Sequence, residues 1–424
     1  MIQATNELIL GIELNKNFAQ ITYFHQSVKE PVTLGMAGSG DQMMIPPALR
    51  QNAKGQWMIW NGEPVKDEEE PDLFRISDLF GKLERQEVLG DGERSFEPAE
   101  LLTIYFKVCM SGLKLLTHNT KVHVMVTVKE LTERWSSLIV EALERNNIDR
   151  KQIYLQDYLS SFYYYTVNQK KELWYQDVAL LDYEEESIVG YVLHIDRSTR
   201  PAIARAQEVA RQPMGDAVRD GRSDQEWKKE KDRLFFELLK KVFERRTISV
   251  SYLIGDYFNK SWAERSIQYL CYKRHAFQGK NLYSKGACYA AMERAGLIPG
   301  RDILFGGRDM IQRNIGMEMR IRGKDTFYPM ISAGINWYEA HHVCEFILNH
   351  EREIRIISSP MEPGESIIHG MRLPGLPPRP NRSTRIRLTL YFSSPTTCVV
   401  ETEDLGFGGF YRSSGLSWSR TIKF

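Results

Sequence analysis

The sequence predicts an α/β body followed by an all-β domain. Three observations carry that expectation. Two strand–turn–strand patterns, at residues 8–24 and 178–194, are each followed by segments of helical spacing. Helical spacing stops after Gly296, and from about Met317 short alternating runs are punctuated by Gly and Pro roughly every 8–12 residues. The 424 residues suffice for two or three domains of about 100–200 residues each.

Leu8–Leu14 reads as a strand, Asn15-Lys16-Asn17 as a turn and Phe18–Phe24 as the returning strand. Trp57–Trp60 is a short strand ending at the turn signal Asn61-Gly62, and Asp67–Asp72 is a charge run expected in a solvated loop. Ser95–Leu116 carries helical spacing in Leu101, Ile104, Tyr105, Val108 and Leu113, with Pro98 near its start. Val122–Val126 is a strand, and Thr127-Val128-Lys129-Glu130 has the capping-box pattern for a helix continuing through Trp135 and Leu143. Another helix is expected near Leu159–Val167, and then Val178–Asp182 and Ser187–His194 pair as the second hairpin. Residues 197–224, rich in Arg, Asp, Gly and Gln, read as a mobile loop. Ser223–Glu226 is a second capping box, opening a helix with Trp227, Leu234, Leu238 and Val242 on one side. Ser249–Ile254 is a strand running into Gly255-Asp256, with helices at Trp262–Tyr272 and Ser284–Ala295. The boundary falls near 297–312, and Cys344–Leu348, Glu353–Ile357, Ile386–Tyr391 and Cys398–Thr402 are strands of the second domain.

The 56 Lys and Arg nearly cancel the 55 Asp and Glu, so nothing general draws the chain to nucleic acid or to an anionic membrane. Arg197, Arg200, Arg205, Arg211, Arg219 and Arg222 are interleaved with acids, which leaves a partner surface open but a nucleic-acid reading weak. No apolar run reaches the ~18 residues of a membrane span, so no membrane insertion is expected. The first residues lack a signal peptide's basic and apolar regions. Five scattered cysteines fit reduced thiols in the cytoplasm. No CxxC pair suggests zinc, and His341-His342-Val343-Cys344 reads as structural. The sequence holds no GxxxxGK[ST], GxSxG or HExxH motif, and Gly35–Gly40 reads as a hairpin loop. Phe162 and Tyr163-Tyr164-Tyr165 are expected to pack against a sheet.

A series of segments, in order along nearly the whole chain, resembles the heat-shock protein 70 (DnaK-like) family, which is built on the actin-like ATPase fold. Gly11–Asn17 and Leu181–Ser187 stand where that family has its two phosphate hairpins. Phe96–Leu101 resembles its Pro-Glu-Glu helix, and Val124–Val128 its strand ending in Thr-Val-Pro. Leu155–Tyr158 falls at its connecting segment, while Leu253–Asp256 and Lys285–Ala290 resemble its adenosine motif. Asp302–Phe305 resembles the apolar interdomain linker. Asn314–Glu318 and Met371–Pro380 are similar to segments of the peptide-binding β domain. The resemblance implies an actin-like two-lobed body at 1–300, a linker at 301–311 and a β-sandwich at 312–424. The stretch from Asp196 to Leu234 is too short for the family's full second upper lobe.

By the resemblance, Lys16, Asp182, Gly255, Asp256, Gly286 and Ala287 are the residues expected at a nucleotide, ATP or ADP with Mg²⁺. Glu13, Asp182 and Glu184 are the candidate metal ligands. Met330 and Ile331 are the candidate peptide-groove residues of a domain that binds extended peptides. The departures fall on the phosphate chemistry. The first turn has Glu13, Asn15, Lys16 and Asn17 for the family's Asp, Gly, Thr and Thr, and the second has Glu184-Glu185-Glu186 for three glycines. Side chains crowd a backbone that should approach phosphate. One extra carboxylate about 4 Å from a polyanion costs about 4 kcal/mol at an effective dielectric near 20. The expectation is a non-hydrolysing protein- or peptide-binding scaffold. The alternative is a divergent ATP-dependent chaperone, and a small-molecule kinase comes third because no general base is well placed.

Overall fold

The computed structural model describes residues 7–25, 27–28, 30–35, 44–62, 72–90, 94–113, 120–184, 186–215, 223–255, 258, 262–349, 352–361 and 364–424. The chain divides into two compact units, Met1–Phe305 and Gly306–Phe424.

The first unit opens with β1 (Glu7–Asn15) and β2 (Phe18–Phe24), an antiparallel hairpin closed at Asn15↔Phe18. β1 is apolar almost throughout and buried on both faces, as a strand between two layers must be. After β3 (Val32–Thr33), a small sheet of β4 (Leu49–Gln51), β5 (Trp57–Ile59) and β6 (Phe74–Ile76) leads to helix α1 (Leu79–Arg85). The pair β7 (Leu89–Gly90) and β8 (Ser95–Phe96) precedes α2 (Pro98–Cys109), which has proline in its first turn, where no N–H is needed. The expected charge run at 67–71 and the Gly-rich 36–40 lie outside the described residues.

β9 (Lys121–Val128) pairs in parallel with β1, and Thr127 stays buried inside it. The capping box read at Thr127–Glu130 is therefore displaced: α3 (Glu133–Glu144) starts later, and Thr132 accepts the Trp135 N–H. Thr127 has the capping-box spacing, but the sheet claims it, and Thr132 caps the helix without a box. β10 (Ile153–Asp157) pairs with β9, giving the order β10-β9-β1-β2-β3. Asp157 caps the next helix, α4 (Tyr158–Val167), by accepting from Ser160 N–H.

The second sheet repeats that order. β11 (Asp177–Tyr183) and β12 (Ser187–Asp196) form the hairpin, and β13 (Ala202–Pro213) lies antiparallel to β12. The mobile loop expected at 197–224 thus contains the whole of strand β13, with 216–222 outside the described residues. β13 looked loop-like because it is rich in Arg, Gln and Glu; of its twelve residues only Ala204 is buried. Ser223 and Glu226 form the predicted capping box of α5 (Asp224–Phe243). β14 (Ile248–Ile254) pairs in parallel with β11, α6 (Glu264–Cys271) follows, and β15 (His275–Gly279) pairs with β14. After α7 (Leu282–Arg294), β16 (Ile303–Phe305) adds to β13, giving β15-β14-β11-β12-β13-β16. Ile303–Phe305 is therefore sheet rather than linker, and the division falls after Phe305. Its three apolar residues read equally well as either.

Helices α4 and α7 tie the two sheets together. Tyr158, Phe162, Tyr163 and Val167 of α4 pack with Val178, Leu180, Leu193 and Val250 of the second sheet. Ala287, Cys288, Ala290 and Ala291 of α7 pack instead with Ile9 and Met125 of the first. Polar bonds cross this layer too: Thr22 donates to Ser284 Oγ at 2.9 Å, and Ser161 donates to Thr127 Oγ1 at 2.8 Å.

The second unit is all-β. One sheet has the order β18-β17-β20-β21, from β17 (Arg313–Ile321), β18 (Lys324–Ile331), β20 (Glu353–Pro360) and β21 (Ile367–Arg372). The other has the order β19-β22-β23-β24, from β19 (His341–Ile347), β22 (Arg385–Ser394), β23 (Thr397–Gly406) and β24 (Ser417–Lys423). Strict alternation in β22 and β23 buries Ile386, Leu388, Leu390, Cys398 and Val400 on one face. The Phe424 ring sits between His369 of one sheet and Phe392 of the other, at 5.9 and 6.1 Å. Met330 and Ile331, expected to line a peptide groove, are only 8% and 4% exposed and belong to this core. Apolar residues closing a strand are used for packing first.

Candidate functional site

A cleft of about 750 Å³ opens in the first unit at the turns of the two hairpins. The C-terminal ends of β1 and β11 bring Glu13 and Asp182 to it. Glu13 is buried on β1 and accepts the backbone N–H of Ser284, in the first turn of α7. Asn281, the N-cap of α7, makes no side-chain cap bond, so Glu13 satisfies one of the amides that the cap leaves open. Burial pushes the Glu13 carboxyl up to about 8, the charge of Asp182 pushes the same way, and the Ser284 amide pulls against both.

Asp182 accepts a 2.7 Å hydrogen bond from the Tyr283 hydroxyl. Burial raises its carboxyl to about 6; the Tyr283 bond lowers it, Glu184 raises it, and Lys129 and Arg211 lower it. Asp182 therefore ionises first, and its charge then holds the proton on Glu13. Beside the two acids the rings of Tyr158 and Tyr283 stack at 4.1 Å and 18°, and the Tyr158 hydroxyl donates to Leu14 O at 2.9 Å.

The acidic second turn is clamped. Lys129 Nζ lies 2.6 Å from Glu184 Oε1, and Arg211 Nη1 lies 3.3 Å from Oε2. The backbone amides of the turns are also in use. Asn17 N–H bonds to the Asn15 side chain at 3.0 Å, and Glu184 N–H bonds to Ser187 O at 2.9 Å. Lys16 lines the cleft from the exposed first turn.

The cleft thus gathers Glu13, Lys16, Asp182, Glu184 and Gly255 of the expected residues. Gly286 and Ala287 do not line it. Gly286 lets α7 lie against α4, because a Cβ there would come within 2.0 Å of Ser161 O, and Ala287 is fully buried. Gly255 sits at φ +108°, and a Cβ would come within 2.4 Å of Tyr183 O, so its own chain already requires glycine. Asp256 lies outside the described residues. Among the described residues, no group of three His, Cys, Asp or Glu is placed to hold a metal ion. We expect Gly286→Ala to destabilise the first unit by about 1–3 kcal/mol, through forced separation of α4 and α7. A urea titration of the full chain measures this.

Sequence reasoning missed the Lys129–Glu184–Arg211 clamp and the tyrosine stack. Arg211 was hidden in a segment read as loop, and Tyr283 lay just outside the helix expected at Ser284–Ala295. Phe80 and Trp135, with rings 6.3 Å apart, complete an aromatic wall that comes from two separate helices.

Fold and site together define a mixed α/β unit of two main sheets with an acidic, aromatic-lined cleft, and a second, all-β unit. The chain belongs to the family of unknown function DUF5716, whose C-terminal region it matches over residues 30–306. Residues 310–424 match the domain of unknown function DUF8552. No curated protein matches the chain. Among the described residues, no helix is long and apolar enough to cross a membrane.

Proposed function

We propose that this is a heat-shock-70-like protein of actin-like fold whose phosphate site has decayed. It acts in the cytoplasm as a non-hydrolysing scaffold for protein or peptide partners. The repeated strand order of the two sheets, with a helix from each half crossing to the other, supports the actin-like reading. One observation carries the loss of hydrolysis. Where a triphosphate would need free amides and free cations, the Asn17 and Glu184 amides are taken and Lys129 and Arg211 are paired to Glu184. Among the lining residues six carboxyl groups face three lysines. A polyanion entering this space meets repulsion that its binding cannot offset.

The test is a thermal-shift series on the full chain with ATP, ADP or neither, each with and without Mg²⁺, backed by a phosphate-release assay. The expected result is no shift at millimolar nucleotide and no turnover. A rise of several degrees with ATP·Mg²⁺ overturns this reading, because a ligand that binds only the folded state must stabilise it, and restores the ATP-dependent chaperone.

A further inference from the structure

The chemistry of the cleft favours positive charge. Glu13 is 96% buried, lines the cleft, and meets no side-chain hydrogen-bond donor among the described residues; the Ser284 amide alone reaches it. Asp182 stands at the same space, with one oxygen engaged by Tyr283. Of the lysines, Lys129 is held by Glu184, while Lys16 and Lys280 lie on exposed turns at the rim. Tyr283 bonds to Asp182 and stacks on Tyr158 beside the acids, and Phe80 and Trp135 also line the cleft. Aromatic faces attract ammonium groups, and buried carboxylates give them charge-assisted hydrogen bonds. The volume of about 750 Å³ suits a small ligand. Exposed carboxyls at Glu84, Glu130 and Glu186 offer a second charged end its partners.

We propose that the cleft binds a small organic cation of the linear di- or polyamine class, with one ammonium group between Glu13 and Asp182 and its methylene chain along the aromatic wall. This rests on the reading that the cleft no longer holds a nucleotide, and it names what the same space would accept. A primary ammonium has three donors, which matches two carboxyl groups whose nearby cations, Lys129 and Arg211, are bonded to Glu184 instead. The methylenes bury against rings that a hydrated metal ion would leave unused.

Isothermal titration calorimetry of the full chain with spermidine and with putrescine, against NaCl at matched ionic strength, tests this. The expected result is saturable binding at millimolar concentration or tighter, weakened about tenfold or more in Asp182→Asn and in Glu13→Gln. Both variants keep the side-chain size, and their circular dichroism spectra report whether they fold. Should one fail to fold, the other decides. No saturable heat, equal binding in the wild type and the folded variants, or equal heats from matched salt would each overturn the proposal. ATP·Mg²⁺ is titrated in parallel. Nucleotide binding overturns the scaffold reading itself, whereas silence from both ligands overturns only the amine site.

Discussion

Asp404→Asn lowers the stability of the β unit by about 3–5 kcal/mol. Asp404 is wholly buried on β23, and its two oxygens receive the two Nη groups of Arg379 at 2.7 Å each. It also accepts from Gly406 N–H, Ser414 N–H and the Ser414 hydroxyl, while Arg379 donates to Arg412 O. One carboxylate thus fastens the segment around Pro374–Pro380 and the loop at 406–415 to β23. The Arg379 side chain is only 4% exposed, so loss of the partner charge leaves a buried cation unpaired. A chemical-denaturation curve of the full chain, read by circular dichroism and tryptophan fluorescence, reports the change; Trp418, one of the eight tryptophans, donates to Pro374 O at 2.9 Å and lies in the fastened region. The Arg379 guanidinium holds Asp404 well below the usual carboxylate range. That stabilisation is present above the unfolded carboxyl's pKa, near 3.9, and is lost as pH falls toward the depressed native value. The variant's curve is flatter there. A change below about 1 kcal/mol would mean that the pair contributes no more than a surface bridge.

How much of this was legible follows from what each residue's neighbours in sequence reveal. β1 and β2 were readable because their alternation and turn lie in one window. The capping box of α5 was readable because its partners are three residues apart. β13 was not, since its twelve residues are polar on the solvent side and its pairing partner, β12, supplies the order. Thr127 had the capping-box spacing to Glu130, and only the parallel pairing of β9 with β1 shows that it belongs to the sheet and leaves the cap to Thr132. Met330 and Ile331 were apolar whether they faced a ligand or the core. In the cleft, the types of Glu13, Asp182 and Glu184 were visible, and so was their mismatch with phosphate. Their partners came from 55, 27 and 101 residues away, at Lys129, Arg211 and Tyr283, and long-range pairing leaves no local mark.

Glu13→Gln stabilises the first unit at pH 8 and leaves it nearly unchanged at pH 4. In the native protein burial and the charge of Asp182 hold the Glu13 carboxyl at about 8, against 4.5 for a free one. Below 4.5 the folded and unfolded chains both carry the proton, and nothing is lost. Between 4.5 and 8 the unfolded chain releases the proton and the native state retains it, so stability falls as pH rises; above 8 both have ionised and the loss is constant. Glutamine cannot ionise and still offers its carbonyl oxygen to the Ser284 amide. The gain at pH 8 is on the order of a few kcal/mol. Asp182, raised to about 6, adds a penalty of the same sign at lower pH, between about 4 and 6, tempered by Lys129, Arg211 and Tyr283. Asp182→Asn should therefore show its gain earlier in the titration than Glu13→Gln. Thermal melts of wild type and both variants at half-unit pH steps separate the two. A difference that stays flat from pH 4 to pH 8 would show that Glu13 is ionised throughout, and the acid pair would then hold two charges in need of a counter-cation. A rising difference means that the fold keeps an acid where glutamine would be more stable, which is the mark of a group retained for what enters the cleft rather than for folding.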